Sequence, residues 1–292
     1  MGINTSFAHL LVEAKLQGVE FSDTLTIGRQ SLTVPHEELS RMAARLGVAD
    51  TTQATGDSFA EDFLTGFLGA RSVRSLDYSD YQHAEIVHDL NQPLPPELHN
   101  VFDALIDGGS IEHIFDVRQV LSNYMGLVKT GGNIFILTTA NNLCGHGFYQ
   151  FSPEFFYRVF APANGFEARE VVLIESPLLS VEKSRHSRYF HANNPAAIGK
   201  RIQLVNCRPT MIFVHARKVS EQPPFSSPPL QSDYSDIKWD QKRLDTPPGG
   251  GAGAAPAEAC RFLSPWQEFQ RRLRQKRKNS HRNRRFFKRL DF

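Results

Sequence analysis

The sequence predicts an α/β fold in which seven strands alternate with helices about a single sheet. Two observations carry that expectation. In residues 101–139, an apolar run at 101–106 and a β-branched, aromatic run at 133–138 bracket a helical pattern. Between them Ile114, Val117, Leu121, Met125 and Val128 recur at three- and four-residue steps, the spacing of one buried helix face. This is a strand–helix–strand unit, whose crossover is right-handed. The second observation is that Asp77, Asp89 and Asp107 each close an expected strand. In an open α/β sheet, ligands bind outside those strand ends.

The elements follow in order. Residues 7–16 form an amphipathic stretch suited to a packed helix, and 24–27 a first strand that ends at Gly28-Arg29-Gln30. A helix over 36–46 sets Leu39, Met42, Ala43 and Leu46 on one side. After a short apolar run at 63–68, a second strand at 72–76 reaches Asp77, and a third at 85–88 reaches Asp89-Leu90-Asn91. The fourth and fifth strands are those of the opening unit, with Gly131-Gly132 as the turn before the fifth. Ser152-Pro153-Glu154 starts a helix over 153–160, with Ser at the cap and Pro at the first helical position. Residues 166–174 and 210–216 are the last two strands, and the polar 186–194 segment between them reads as a loop or lid.

Composition sets limits on class and organisation. With 292 residues and 40% hydrophobic content, the chain can bury one substantial core. Three cysteines, at 144, 207 and 260, suggest neither a disulfide framework nor a zinc site. His88, His113 and His146 could in principle share a metal, but they lack ligand spacing and no metal is expected. No stretch approaches the roughly 18 apolar residues of a transmembrane segment. The first residues lack a secretory pattern, so a cytoplasmic location is expected.

The net charge of +2 is unevenly spread: residues 261–292 hold 12 Lys and Arg against two acidic residues. The expected organisation is an α/β domain over 1–218, a Pro/Gly-rich flexible linker over 219–261 and a basic tail over 262–292. In that tail Phe262, Trp266, Phe269 and Leu273 lie along one side of a short helix. Such a tail suits an anionic partner, RNA or a membrane surface.

Residues 21–218 resemble the class I S-adenosylmethionine (SAM)-dependent methyltransferases. The likeness rests on FDALIDGGSIEHIFDVRQVLSNYMGLVKTGGNIFI, with its acidic loop, Glu-His pair and Gly-Gly turn before the fifth strand. The GHGFYQFSPE segment is similar to one in a methyltransferase-like group. The resemblance implies a Rossmann-like, seven-stranded sandwich, mostly parallel with an antiparallel final hairpin. It also implies that SAM lies across the first four strand ends. Asp77 would accept hydrogen bonds from the ribose hydroxyls, Asp89 and Leu90 would flank adenine, and Asp107 and Gly108 the methionine portion. Gly28 and Arg29 stand where the family has a Gly-x-Gly-x-Gly loop, which this chain lacks.

His113, His146 and Tyr149 are the catalytic candidates: the first two titrate near neutrality, and His146 and Tyr149 share a polar loop with Gln150 after the fifth strand. Glu112-His113 reads equally as a helix-start pair that orients its loop. The expected function is methyl transfer to a small-molecule or glycan acceptor, with O-methylation favoured. Two alternatives stand beside it: a non-enzymatic, methyltransferase-derived binding scaffold, favoured by the missing glycine loop, and an RNA methyltransferase that recruits substrate through its basic tail.

Overall fold

A computed structural model of the protein describes residues 2–49, 59–177, 186–226, 228–232, 270, 273 and 278–290. Along the chain run β1 (Gly2–Asn4), α1 (Thr5–Leu16), β2 (Asp23–Ile27), β3 (Ser31–Thr33), α2 (His36–Leu46), α3 (Glu61–Gly66), β4 (Ser72–Asp77) and β5 (Ile86–Val87). Then come β6 (Phe102–Asp107), α4 (Val117–Leu127), β7 (Val128–Asn141), α5 (Pro153–Val159), β8 (Phe166–Glu175), β9 (Arg188–Ala192), α6 (Pro195–Ile198), β10 (Thr210–Lys218) and β11 (Phe287–Leu290).

All seven expected strands lie in one sheet, of order β11-β9-β8-β10-β7-β6-β2-β4-β5. β5, β4, β2, β6 and β7 are parallel neighbours. Counted along the expected strands, they stand third, second, first, fourth and fifth, the doubly wound order. β10 pairs antiparallel with both β7 and β8, which gives the antiparallel last hairpin. The strand order reverses between β2 and β6, and that switch point is where such a sheet binds its ligand.

Among the described residues the sheet has nine strands, two more than expected. The 186–194 segment is β9 rather than a lid, paired antiparallel with β8, with Phe190 and Ala192 buried. The basic terminus is not wholly a detached tail either. β11 pairs with β9, and Phe286 and Phe287 are buried. Most of the expected short tail helix, with Phe262, Trp266 and Phe269, lies outside the described residues. So does most of the linker, although its start is packed: Phe225 is buried, and Ser232 donates to Glu154 through its peptide N–H and its hydroxyl. Gly131-Gly132 is not a turn before a strand but a bulge inside β7. The pairing with β6 jumps there from Phe102↔Val128 to Ala104↔Asn133, and Gly131 has φ +90°. A Cβ on Gly132 would meet three main-chain oxygens, the nearest at 2.8 Å.

Helices cover both faces. Leu25, Leu105, Ile134 and Val214 pack towards α4 and α5, while Ala104, Ile106, Phe135 and Phe213 pack towards α1, α2 and α3. Each fully buried large apolar side chain contributes about 1.5–3 kcal/mol. α4 is fixed at both ends. The Asp116 carboxylate accepts from the Gln119 N–H at 3.0 Å, and the buried Lys218 ammonium donates to Met125 O and Val128 O at 3.2 and 3.1 Å. α5 starts as its sequence requires, with Ser152 as the cap and Pro153 in the first turn. Among the described residues no helix is long and apolar enough to cross a membrane.

Candidate functional site

At the switch point the crevice between β2 and β6 is filled by the chain itself. Gly28 takes φ +68° and donates its N–H to Leu76 O at 2.7 Å, tying the loop to β4. Gln30 is buried there, its Nε2 donating to Ile27 O at 2.6 Å, while its Oε1 has no hydrogen-bond partner. The Ser110 hydroxyl donates to the same Ile27 oxygen at 3.1 Å. β1 lies alongside, with the Gly2 N–H donating to Gly108 O at 3.2 Å. A Cβ on Gly108 would meet Gln30 Oε1 at 2.3 Å and Gly2 O at 2.9 Å. Arg29 turns away, bonding Glu61 at 2.6 Å and stacking over Phe59.

The three strand-end aspartates differ in what they hold. Asp107 is 0% exposed, and Oδ1 accepts from the Gly109 and Ser110 N–H groups at 3.1 and 2.7 Å. Its Oδ2 accepts from the Ile111 N–H at 3.1 Å and the Tyr124 hydroxyl at 2.8 Å. Burial, then the charge of Glu112, pushes Asp107 up to about 6 against those hydrogen bonds. Its carboxylate is thus engaged within the protein. Asp77, half-buried at the end of β4, accepts from its neighbour Tyr78 N–H at 2.6 Å. Asp89, beyond β5, accepts from the Asn91 N–H and side-chain amide, and those bonds hold it below the usual carboxylate range. Leu90 is buried beside it.

A second cluster forms where the loop after β6 meets the loop after β7. Glu112 is 0% exposed; its Oε2 accepts from the Thr138 hydroxyl at 2.7 Å, and its Oε1 has no hydrogen-bond partner. The nearest base is His146 Nε2, 3.7 Å from Oε1, and the rings of His113 and His146 stand 5.3 Å apart. One ligand atom from each of Glu112, His113 and His146 lies within 4.8 Å of the others. His88 is elsewhere, with its Nε2 3.2 Å from Gln92 O.

The second loop is pinned by backbone: the Phe148 N–H donates to Glu112 O at 2.7 Å, and a Cβ on Gly147 would meet that oxygen at the same distance. Burial raises Glu112 above the ordinary carboxylate value, and partial burial, then His146, lowers His113. The Tyr149 hydroxyl donates to Phe115 O at 2.6 Å, so its proton is engaged. Gln150 Oε1 accepts from the Leu143 N–H at 3.0 Å.

Sequence reasoning missed an aromatic pair on the same two loops. Phe115 and Phe148 are 74% and 68% exposed and meet edge to face at 6.0 Å. Both flank residues already singled out; the missing signal was that two separate loops converge. Two further grooves lie away from this rim. One of about 610 Å³, at the strands' starting ends, is lined by residues that include Asp103, Glu170, His215 and Arg217. Another of about 580 Å³ beside β11 is lined by basic residues that include Arg188, Arg282, Arg284 and Lys288.

No family model matches this chain, and no curated protein matches it. Solved structures do. A SAM-dependent methyltransferase of Thermotoga maritima, described as a possible histamine N-methyltransferase, is 15% identical over 73% of this chain and 90% of its own, with a TM-score of 0.40. The YcgJ protein of Bacillus subtilis is 10% identical over 73% and 98%, with a TM-score of 0.39. The Burkholderia thailandensis 1,6-didemethyltoxoflavin-N1-methyltransferase, solved with its substrate and S-adenosylhomocysteine, is 12% identical over 74% and 78%, with a TM-score of 0.37. Likeness of this degree carries no argument about residues or chemistry.

Proposed function

We propose that the chain is a SAM-dependent methyltransferase that transfers a methyl group to an oxygen of a small-molecule or glycan acceptor. The observation that carries this reading is the doubly wound strand order, with Asp77 and the Asp89-Leu90 pair beyond neighbouring strands on the outer side of the switch point. The nucleoside end of the cofactor fits what is there. The Asp77 carboxylate bonds only its neighbour's N–H among the hydrogen bonds described, which leaves it able to accept from a ribose diol. The methionine end does not fit while Gln30 and β1 fill the crevice beside Gly108. Binding on this reading therefore requires Gln30 to leave, which its unpartnered Oε1 makes less costly.

The bound cofactor would supply an electrophilic methyl on sulfonium. The residues' share is to position the acceptor and take its proton. Phe115 and Phe148 offer an apolar platform, and His113, held below the ordinary imidazole value, is neutral and able to accept a proton at pH 7. His146 is the second imidazole within reach, and Tyr149 serves the loop's geometry. The basic groove beside β11 is the surface on which an anionic partner, RNA included, would sit.

Calorimetric titration with S-adenosylhomocysteine tests the reading. Binding is expected in the wild type and a loss of at least about tenfold in Asp77→Ala, one charge-assisted hydrogen bond's worth. Absence of heat in the wild type rejects it. The filled crevice supports a second reading, a binding scaffold that has given up the cofactor, and that reading would then stand.

A further inference from the structure

We propose that Glu112, His113 and His146 form a binding site for one divalent transition-metal ion of the zinc type. Two imidazoles and one carboxylate are a common ligand set for zinc and its first-row neighbours, leaving open positions for water or a substrate oxygen. The argument does not rest on the cluster alone. Glu112 is 0% exposed, yet its Oε1 takes no hydrogen bond and lies towards His146 Nε2 at a separation too long for one. A buried carboxylate oxygen without a partner is costly, and a cation between it and the two rings would satisfy it.

The distances suit that role. Ligand atoms around one zinc ion, each bonded at about 2.0–2.2 Å, stand roughly 3.3–3.6 Å apart. The Glu112–His146 separation is 3.7 Å, and all three ligand atoms fall within 4.8 Å. Closing the remainder falls to His113 and His146, both exposed. Glu112 itself is held by the Thr138 hydroxyl on its other oxygen, the outer-shell support that metal carboxylates use. Gly109 belongs to the same cradle: its absent Cβ would stand 3.5 Å from Oε1. The same two loops carry the exposed Phe115–Phe148 pair, so an oxygen-bearing ligand held against those rings could complete the coordination sphere. None of this depends on the methyl-transfer reading, and neither does its test. A bound ion would engage the His113 nitrogen that the methyl-transfer reading uses as a base, so the two roles exclude each other.

Full-length protein stripped with a chelator is titrated with Zn²⁺ by calorimetry and with Co²⁺ by visible absorption. One equivalent is expected, with a Co²⁺ spectrum of nitrogen and oxygen ligation and no thiolate charge-transfer band. The last point matters because Cys144 is exposed in the same loop. His146→Ala and His113→Ala, at exposed positions that leave the fold intact, should each weaken binding by more than about a hundredfold, beyond what loss of a supporting group costs. Glu112→Gln should do the same. Failure to bind either ion, binding at undiminished affinity in both histidine variants, or a thiolate band in the wild type would each overturn the site.

Discussion

Asp107 and Glu112 sit on one strand-end loop, both wholly buried, and they behave as opposite kinds of carboxylate. Around Asp107 both oxygens accept hydrogen bonds, from donors that include three peptide N–H groups and the Tyr124 hydroxyl. Around Glu112 one oxygen accepts from the Thr138 hydroxyl, and the bare one points at a pair of imidazoles. The first carboxylate shapes the loop; the second is shaped by it. Burial alone does not separate scaffold from site here, whereas hydrogen-bond partners do.

Four measurements would break or sharpen that contrast. The largest effect is expected from Asp107→Ala, which leaves several buried donors without their acceptor. Urea unfolding should show a loss of about 3 kcal/mol or more, and a loss below about 1 kcal/mol would move Asp107 out of the structural class. Next comes its titration. With burial and Glu112 pushing Asp107 up to about 6, the native state holds this proton more tightly than the unfolded chain, where Asp titrates near about 3.9. The group's stabilisation is then whole below about pH 4 and lost as the pH rises through about 6, by up to about 3 kcal/mol. His215, lowered to about 4 by burial, slopes the other way over much of that window. A carbonyl-resolved NMR titration of Asp107 is therefore the clean reading, and a midpoint below 3.9 would mean that its hydrogen bonds outweigh burial.

Gly108→Ala probes the closed crevice. Its new methyl meets Gln30 Oε1 and Gly2 O, so a loss of about 1–3 kcal/mol is expected. Adding Gln30→Ala should recover at least about 1 kcal/mol of it; strictly additive losses would show that Gln30 is not what fills the space. Glu112→Gln should change stability least, by within about 1 kcal/mol. The amide keeps an acceptor for Thr138 and removes a buried charge. A loss as large as that of Asp107→Ala would erase the distinction.

The sheet was legible because its strands are bounded by sharp local signals. The 101–106 run stops at Asp107-Gly108-Gly109, and the helix after it carries a clear apolar stripe. β9 was hidden because RYFHA buries only Phe190 and Ala192, and its outer partner, Phe287, comes from far along the chain. Gly131-Gly132 misled for a similar reason. Only the register against β6 shows that the strand continues through a bulge. Asp107 was placed correctly at a strand end, but its donors come from its own loop and from α4, and their convergence is tertiary. The Glu112 cluster joins two loops that β7 and α4 separate in sequence, so no spacing rule could find it.

Among the described residues, the two outermost strands bear on how this molecule meets copies of itself. A sheet edge offers unpaired peptide groups that can template another chain, the route to fibres and runaway association. At one border β5 is only two residues long, too short to serve as such a template. At the other, β11 carries Lys288 and Arg289, both exposed, with Arg282 and Arg284 nearby, so a like strand approaching it meets its own charge. Polymerisation through the sheet is thus resisted by brevity on one flank and by electrostatic repulsion on the other.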